Sequence, residues 1–124
     1  MRVLVVDDFA TMRKIVKNVL KQIKLENATE AENGRQALEV LKKEEVDVII
    51  SDWNMPEMTG IEFLRACKED PKIRHIPFIM VTAEAHKESV LEAIKAGVDN
   101  YITKPFTSDK LQDAINKAIA KAAR

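Results

Sequence analysis

Apolar residues along the chain follow two alternating spacings. Short runs rich in Val and Ile, typical of strands buried on both faces, are followed by stretches in which apolar residues recur every three or four positions, as on one side of a helix. Asn33-Gly34 is typical of a helix start, Ala96-Gly97 of a helix end, and Thr107-Ser108-Asp109 of a second start. The order is strand then helix, repeated five times. Strands are predicted at 3–6, 27–32, 46–50, 78–81 and 100–103, of which the polar second one is predicted to lie at a sheet edge.

The helical stripes predict which residues pack on the sheet. The first helix contributes the longest stripe and the other four contribute shorter ones. The predicted inward residues are Phe9, Met12, Ile15, Val16, Val19, Leu20 and Ile23, then Ala37, Leu38 and Leu41, then Phe63, Leu64 and Cys67, then Val90, Leu91 and Ile94, and finally Leu111, Ile115, Ala118 and Ile119.

Strands that alternate with helices predict an α/β fold: a doubly wound (βα)5 unit with a parallel five-stranded sheet covered on both faces. The length of 124 residues suits a single domain over residues 1–124. Ligands of such folds bind beyond the carboxyl ends of the strands, close to the point where the strand order reverses. The residues that follow each predicted strand are therefore the candidates for a functional site.

The composition of the chain limits the classes of partner that can be expected. Twenty basic residues balance twenty acidic ones, so neither a nucleic acid nor an anionic membrane surface is favoured as a partner. The single cysteine, Cys67, excludes an internal disulfide and is predicted to be a small buried helix residue. No stretch approaches the about 20 apolar residues of a membrane span, and the start of the chain lacks a signal-peptide pattern. We expect a cytoplasmic monomer.

Polar residues follow four of the five predicted strands. Each one has an ordinary explanation taken singly, such as capping a helix or ending a strand, but the carboxyl ends of parallel strands all meet at one edge of the sheet. Their convergence there is the informative feature. The polar residues are Asp7 and Asp8, Asp52, Thr82 and Lys104, and Ala83 and Pro105 directly follow the last two.

Three crowded carboxylates repel one another, and their pKa values rise unless a cation intervenes. Mg²⁺ suits a short list of oxygen ligands, and together with Lys104 it would balance the charges of Asp7, Asp8 and Asp52. Asp52 follows the central strand and is next to Trp53, which limits solvent. A carboxylate in such a place can act as a nucleophile toward phosphorus, a reaction that needs mainly positioning and charge neutralisation.

The motifs at the strand ends resemble the signature of bacterial receiver domains, the response regulators of two-component signalling. They are Val6-Asp7-Asp8, the segment DWNMPEMTG that starts at Asp52, MVTAEA with Thr82-Ala83, and YITKPF with Lys104-Pro105-Phe106. The similarity covers essentially the whole chain and is greatest to the single-domain chemotaxis members of that family. It implies a flavodoxin-like sheet with strand order 2-1-3-4-5.

The resemblance also implies a phosphoacceptor and a metal site. Asp52 would accept a phosphoryl group from a phosphohistidine of a sensor histidine kinase. Asp8, Asp52 and the backbone carbonyl of Asn54 would bind Mg²⁺ directly, while Asp7 would act mostly through water. The protein would then be a phosphoacceptor switch rather than an enzyme, catalysing only its own phosphotransfer and autodephosphorylation.

By the same resemblance, the phosphoryl oxygens would be held by Lys104, by the Thr82 hydroxyl and by the backbone at Asn54 and Ala83. The bond between Lys104 and Pro105 would be cis, which costs little before proline.

Thr82 and Tyr101 would form the switch, Thr82 moving toward the new phosphate and Tyr101 packing inward behind it. The family's output surface would bind a flagellar motor switch protein and also the chemotaxis-type kinase, and a dedicated phosphatase is a further expected partner. This surface would be lined by Ala85, Val90, Val98, Tyr101, Thr103 and Phe106.

Alternatives stay open at this level. The chain could serve another two-component pathway or act as a phosphate sink. A haloacid-dehalogenase-type phosphatase would need Asp-x-Asp after the first strand, whereas Asp7 and Asp8 are adjacent. A flavodoxin-like electron carrier would need a hydroxyl- and glycine-rich phosphate loop there, and two carboxylates would repel a phosphate.

Overall fold

The chain folds as five strand–helix pairs. The computed structural model describes residues 1–83 and 87–123. The elements are β1 (Arg2–Val6), α1 (Ala10–Gln22), β2 (Asn27–Ala31), α2 (Gly34–Lys43), β3 (Val48–Asp52), α3 (Gly60–Glu69), β4 (Phe78–Thr82), α4 (Lys87–Ala96), β5 (Asn100–Thr103) and α5 (Ser108–Ala122).

The five strands form one parallel sheet in the order β2-β1-β3-β4-β5, which confirms the predicted fold class and places the polar strand β2 at an edge. Ser51 is paired with Val6 across β3 and β1, and Asp52 is paired with Val81 of β4. Because of this register, the strands end nearly level with one another. The strand order reverses between β1 and β3, so the expected ligand position lies at their carboxyl ends.

Two layers of side chains cover the sheet. Leu4 and Val6 of β1 point into the layer made with α2, α3 and α4, whereas Val3 and Val5 point into the layer made with α1 and α5. Neighbouring strands alternate in the same way, as a two-residue side-chain period requires. Both faces are therefore dry, which explains the nearly continuous apolar runs of β1, β3 and β4.

Four of the five strands differ from their predicted bounds: β1 begins one residue earlier, at Arg2, β2 ends one residue earlier, at Ala31, and β3 and β4 both extend further at their carboxyl ends. β3 spans Val48–Asp52 rather than 46–50, and β4 continues by one residue to Thr82. The strands extend through polar residues because one neighbouring strand still pairs with each of them, with Asp52 opposite Val81 of β4 and Thr82 opposite Thr103 of β5. Asp52 and Thr82 are thus the last residues of rigid strands, not the first residues of loops.

The predicted helix stripes are too wide. Ile15, Leu91 and Ile94 are about half exposed, and Phe9 is the exposed residue that precedes α1. The buried line of α1 instead includes a charged residue, Arg13. Only one narrow line of a helix can reach the sheet, and the periodicity of a broad stripe does not say which line this is.

The predicted caps are correct. The Asn33 side chain accepts the Gln36 backbone N–H at the start of α2, Thr107 does the same for Lys110 at the start of α5, and Gly97 follows α4 with a φ of 96°. None of the helices in residues 1–83 and 87–123 is long and apolar enough to cross a membrane.

Candidate functional site

Three aspartates meet where β1 and β3 end. One carboxylate oxygen from each of Asp7, Asp8 and Asp52 lies within 4.8 Å of the other two. Asp7 is 3% exposed and Asp52 is 9% exposed, so the cluster lies largely out of water. The structure therefore brings together the three predicted metal-ligating side chains.

Asp7 is held on several sides. Its backbone N–H donates to the Ala31 carbonyl at 3.1 Å, and its Oδ1 accepts the Phe9 backbone N–H at 3.0 Å. Its own carbonyl accepts a hydrogen bond from Arg13 Nη1 at 2.7 Å. The loop from β1 to α1 is thereby fixed close to the sheet.

The pKa of Asp7 is raised above its ordinary value. Desolvation is the largest cause, the Phe9 backbone N–H opposes it, and the charge of Asp52 raises the pKa further, with Lys104 lowering it and Asp8 adding a small increase. Crowding of negative charge out of water therefore has the expected effect on this carboxyl group.

The surroundings of Asp8 indicate whether the aspartate cluster fits a cation. Its Oδ1 is buried and has no hydrogen-bond partner among the described residues. A buried carboxylate oxygen without a donor is costly, and a hard cation would satisfy it. The donor set of three carboxylates fits Mg²⁺, which prefers oxygen ligands.

Lys104 lies between two of the aspartates. Its Nζ is 3.2 Å from Asp52 Oδ1 and 3.6 Å from Asp7 Oδ2, and its side chain is 22% exposed. The Trp53 backbone N–H also donates to Asp52 Oδ1, at 2.9 Å. Asp52 is thus a carboxylate of fixed orientation with one cation already beside it.

The other strand-end residues lie at the same edge. Thr82 is 8% exposed as the last residue of β4, and its carbonyl accepts the Lys104 backbone N–H at 2.8 Å. Ala83 follows in an exposed position. The peptide bond between Lys104 and Pro105 is cis, as predicted. Asn54 is exposed in the loop after β3, two residues beyond Asp52.

Two residues that support the site were missed in the sequence. Gly60, the first residue of α3, packs so closely on the strand end that an added Cβ would lie 2.4 Å from the Asp52 carbonyl oxygen. The signal was present in T-x-x-E, because Thr59 and Glu62 form a capping box that starts α3 at this residue. Arg13 carries no comparable sequence signal, because the apolar spacing of α1 does not show that a charged residue lies on its buried line.

The predicted partner surface needs one correction. Tyr101 is 38% exposed and Thr103 is exposed, whereas Val90 and Phe106 are partly buried. Val98, by contrast, is 2% exposed and packs in the core, because the turn after α4 folds it inward. Ala85 lies outside the described residues.

Comparison with known proteins agrees with this geometry. A family model described as the response regulator receiver domain matches residues 3–116. The chemotaxis protein CheY of Pseudomonas aeruginosa is 47% identical over 117 residues, which cover 94% of each chain.

Solved structures agree in shape as well. The structure of the Vibrio cholerae chemotaxis protein CheY4 matches with a TM-score of 0.87 at 35% identity, covering 94% of this chain and 97% of that one. The signal receiver domain of a signal transduction histidine kinase from Syntrophus aciditrophicus matches with a TM-score of 0.87 at 31% identity, covering 99% and 92%.

These matches exclude the phosphatase and the electron carrier as the family of this chain. Receiver domains bind Mg²⁺ at an acidic pocket, and this chain has a cluster of three aspartates that could hold a metal ion. They are signalling switches rather than enzymes with a separate substrate. The chain belongs to the response regulator receiver domains of the CheY-like kind, which are switches activated by phosphorylation.

Proposed function

We propose that Asp52 is the phosphoacceptor of this receiver domain and that its donor is a phosphohistidine of a sensor histidine kinase. The observation that carries the proposal is the position of Asp52: its carboxylate ends the central strand, faces two further aspartates, and has Lys104 Nζ at 3.2 Å. A nucleophilic carboxylate needs this combination of fixed orientation and nearby positive charge.

In the proposed transfer, an Asp52 carboxylate oxygen forms a bond to phosphorus while the bond from phosphorus to the histidine nitrogen breaks. The electron pair of that bond stays on the imidazole. Asp52 becomes an acyl phosphate, and no side chain of this protein has to act as a base. Autodephosphorylation would reverse the state by attack of water on the same phosphorus.

Asp8, Asp52 and the Asn54 backbone carbonyl are proposed as direct Mg²⁺ ligands, with Asp7 acting through water. When bound, the metal would supply positive charge that offsets the carboxylates and the incoming phosphoryl oxygens. The unsatisfied Asp8 Oδ1 and the shared 4.8 Å neighbourhood of the three carboxylates support this assignment.

Lys104, the Thr82 hydroxyl and the backbone at Asn54 and Ala83 are proposed to hold the phosphoryl oxygens. Phosphorylation replaces one negative charge by about two, so the hydrogen bonds to these groups strengthen only in the phosphorylated form. Such a difference shifts the population toward the conformation in which Thr82 and Tyr101 have moved. Tyr101, at 38% exposure, has room to become more buried.

We propose that the phosphodonor docks at a groove beside Lys104. It has a volume of about 340 Å³ and is lined by Met12, Ile15, Lys104, Pro105 and Phe106. A kinase domain that brings phosphohistidine to Asp52 has to contact the surface around the site entrance. The exposed apolar residues Phe9 and Ile15 lie on that surface.

The proposed output is the flagellar motor switch, bound through the surface of α4, β5 and α5, with a dedicated phosphatase as a further partner. The similarity to chemotaxis proteins of Pseudomonas aeruginosa and Vibrio cholerae supports this pathway. Exposed Leu91, Ile94 and Tyr101 provide apolar contact area there.

We further propose a cytoplasmic, monomeric protein with one domain over residues 1–124, in keeping with relatives of the same length. Another two-component pathway is the second candidate, because a receiver from a histidine kinase has the same fold.

The test uses acetyl phosphate with Mg²⁺ and the intrinsic fluorescence of Trp53, whose backbone N–H contacts Asp52. Intact-protein mass should show one added phosphoryl group, and the fluorescence should change in parallel. Asp52→Asn should show neither effect, and a chelator should prevent both. The proposal fails if the unsubstituted protein gains no phosphoryl group or if Asp52→Asn gains one equally well.

A second measurement separates the two candidate pathways. The N-terminal peptide of a flagellar switch protein is titrated into the unphosphorylated and the phosphorylated protein. Tighter binding by the phosphorylated protein supports the motor as target. Equal binding of both forms overturns that part and leaves the phosphoacceptor assignment intact.

A further inference from the structure

Arg13 is a buried charge inside an apolar helix face. It is 9% exposed, and it shares the inward line of α1 with the core residues Val16 and Leu20. A buried guanidinium is unfavourable unless its N–H groups find acceptors. Its partners therefore indicate why the position carries an arginine.

Two acceptors hold this guanidinium. Nε donates to Glu30 Oε1 at 3.0 Å, and Nη1 donates to the Asp7 carbonyl at 2.7 Å. Glu30 lies on the edge strand β2, where its second oxygen accepts from Lys17 Nζ at 3.1 Å. The pKa of Glu30 is lowered, first by the hydrogen bond from Lys17 and then by that from Arg13, so it stays charged and keeps Arg13 in place.

The Asp7 carbonyl belongs to the peptide unit that joins Asp7 to Asp8. A peptide unit is planar, so fixing its oxygen also fixes the nitrogen and Cα of Asp8. Asp8 Oδ1 has no hydrogen bond to any described residue. The direction of this carboxylate therefore depends on the backbone beneath it, and Arg13 holds that backbone.

We propose that Arg13 is a positioning residue of the metal site: held by Glu30, it fixes the Asp7–Asp8 peptide and so aims the Asp8 carboxylate at Mg²⁺. The inference rests on the proposed binding of Mg²⁺ by the aspartate cluster. It adds the edge strand β2 to the elements on which that binding depends.

The direction in which the Mg²⁺ affinity changes in Arg13→Met distinguishes a positioning role of Arg13 from a purely electrostatic one. Removing a cation near the cluster reduces repulsion of Mg²⁺, so a purely electrostatic role for Arg13 predicts tighter binding in Arg13→Met. A positioning role predicts weaker binding, because loss of a group that orients a ligand costs about 10–100-fold in metal affinity. The two roles move the dissociation constant in opposite directions.

The experiment is calorimetric titration of Mg²⁺ alone into the full chain, at fixed ionic strength. Arg13→Met should bind Mg²⁺ about 10-fold or more weakly than the unsubstituted protein. Lys17→Met is the matched control, because it removes an equal charge from the same Glu30 without touching the Asp7 carbonyl. It should leave the dissociation constant unchanged or slightly lower.

Two further variants keep the result decisive if Arg13→Met fails to fold, as judged by near-ultraviolet circular dichroism. Arg13→Lys keeps the positive charge but cannot donate to Glu30 and to the Asp7 carbonyl as the guanidinium does. Glu30→Gln weakens the ion pair that holds Arg13 but leaves the hydrogen bond from Arg13 to the Asp7 carbonyl. Both should bind Mg²⁺ more weakly than the unsubstituted protein.

Unchanged or tighter binding by folded Arg13 variants overturns the inference and leaves the proposed function standing. Equal weakening in Lys17→Met also overturns it. Absence of Mg²⁺ binding by the unsubstituted protein overturns the metal site of the proposed function, and the inference with it.

Discussion

A methyl group added at Gly60 tests how firmly Asp52 has to be held. The new Cβ in Gly60→Ala would lie 2.4 Å from the Asp52 carbonyl oxygen, 2.9 Å from Met80 Sδ and 3.0 Å from Trp53 Cα. Two of these atoms belong to backbone that is paired within the sheet or donates to the site, so they cannot swing aside as a side-chain tip can.

The geometry sets the size of the effect. Ordinary contact begins at 3.4 Å, so the first turn of α3 and the end of β3 have to separate by about 1 Å. A displacement of about 1 Å at a reacting group can lower a rate about 100-fold. Overpacking of this kind also costs about 1–3 kcal/mol of unfolding free energy. Alanine is otherwise the better helix residue, so any destabilisation reports the collision.

The assay is the rate at which intact-protein mass gains one phosphoryl group from acetyl phosphate at saturating Mg²⁺. Mass is preferred to fluorescence because the substitution itself presses on Trp53. Gly60→Ala should be phosphorylated about 100-fold more slowly than the unsubstituted protein while its circular dichroism stays native.

Gly97→Ala is the control for lost stability. Gly97 lies in the turn that follows α4 and has a φ of 96°, which costs an alanine about 1–2 kcal/mol. The new Cβ of Gly97→Ala would nevertheless make only an ordinary contact, 3.4 Å from Lys68 Cγ. This variant should be destabilised but phosphorylated at the normal rate. The reasoning is refuted if Gly60→Ala reacts as fast as the unsubstituted protein, or if Gly97→Ala is slowed as much.

Three further predictions concern the rest of the fold. Burial raises the pKa of Cys67 to about 12, so iodoacetamide at pH 8 should leave the native thiol unmodified and alkylate it rapidly in denaturant; modification of the native protein contradicts its burial. Glu30→Gln should lower the unfolding free energy at pH 7 by up to about 1 kcal/mol, since this half-exposed carboxylate has a lowered pKa in the fold. The deficit should shrink as pH falls below 4.5, because protonation removes that contribution from the unsubstituted protein too; a deficit independent of pH contradicts it. Phe63→Ala should cost about 3–5 kcal/mol in urea titrations, because its fully buried ring packs on Phe78 with centroids 5.3 Å apart; a loss below this range would indicate that the core closes around the gap.

The order of elements and most of the strand-end chemistry could be predicted from the chain alone. Strands buried on both faces have to be continuously apolar, and parallel strands carry the residues that follow them to one edge. Asp7, Asp8, Asp52 and Lys104 were therefore recognisable before any distance was known, and the structure brings them together.

The output surface shows where a pattern stops being informative. Val98 was predicted to line it but packs in the core, whereas Leu91 and Ile94 were predicted to pack inward and are about half exposed. All three are apolar residues in or beside one short helix. Which of them meets the sheet depends on the rotation of α4 against its neighbours, and a list of apolar positions does not contain that angle.

The sequence by itself determined the alternation of strands and helices, the edge at which the acids gather and the family of the chain, because these follow from local spacing and contiguous motifs. Only the tertiary structure decided that Arg13 reaches the Asp7 carbonyl and that Gly60 abuts Asp52. Both contacts join residues on different elements, and their effect depends on differences of about an ångström in packing. Spacing along the chain predicts which residues reach the site, whereas packing between elements determines how firmly each one is held there.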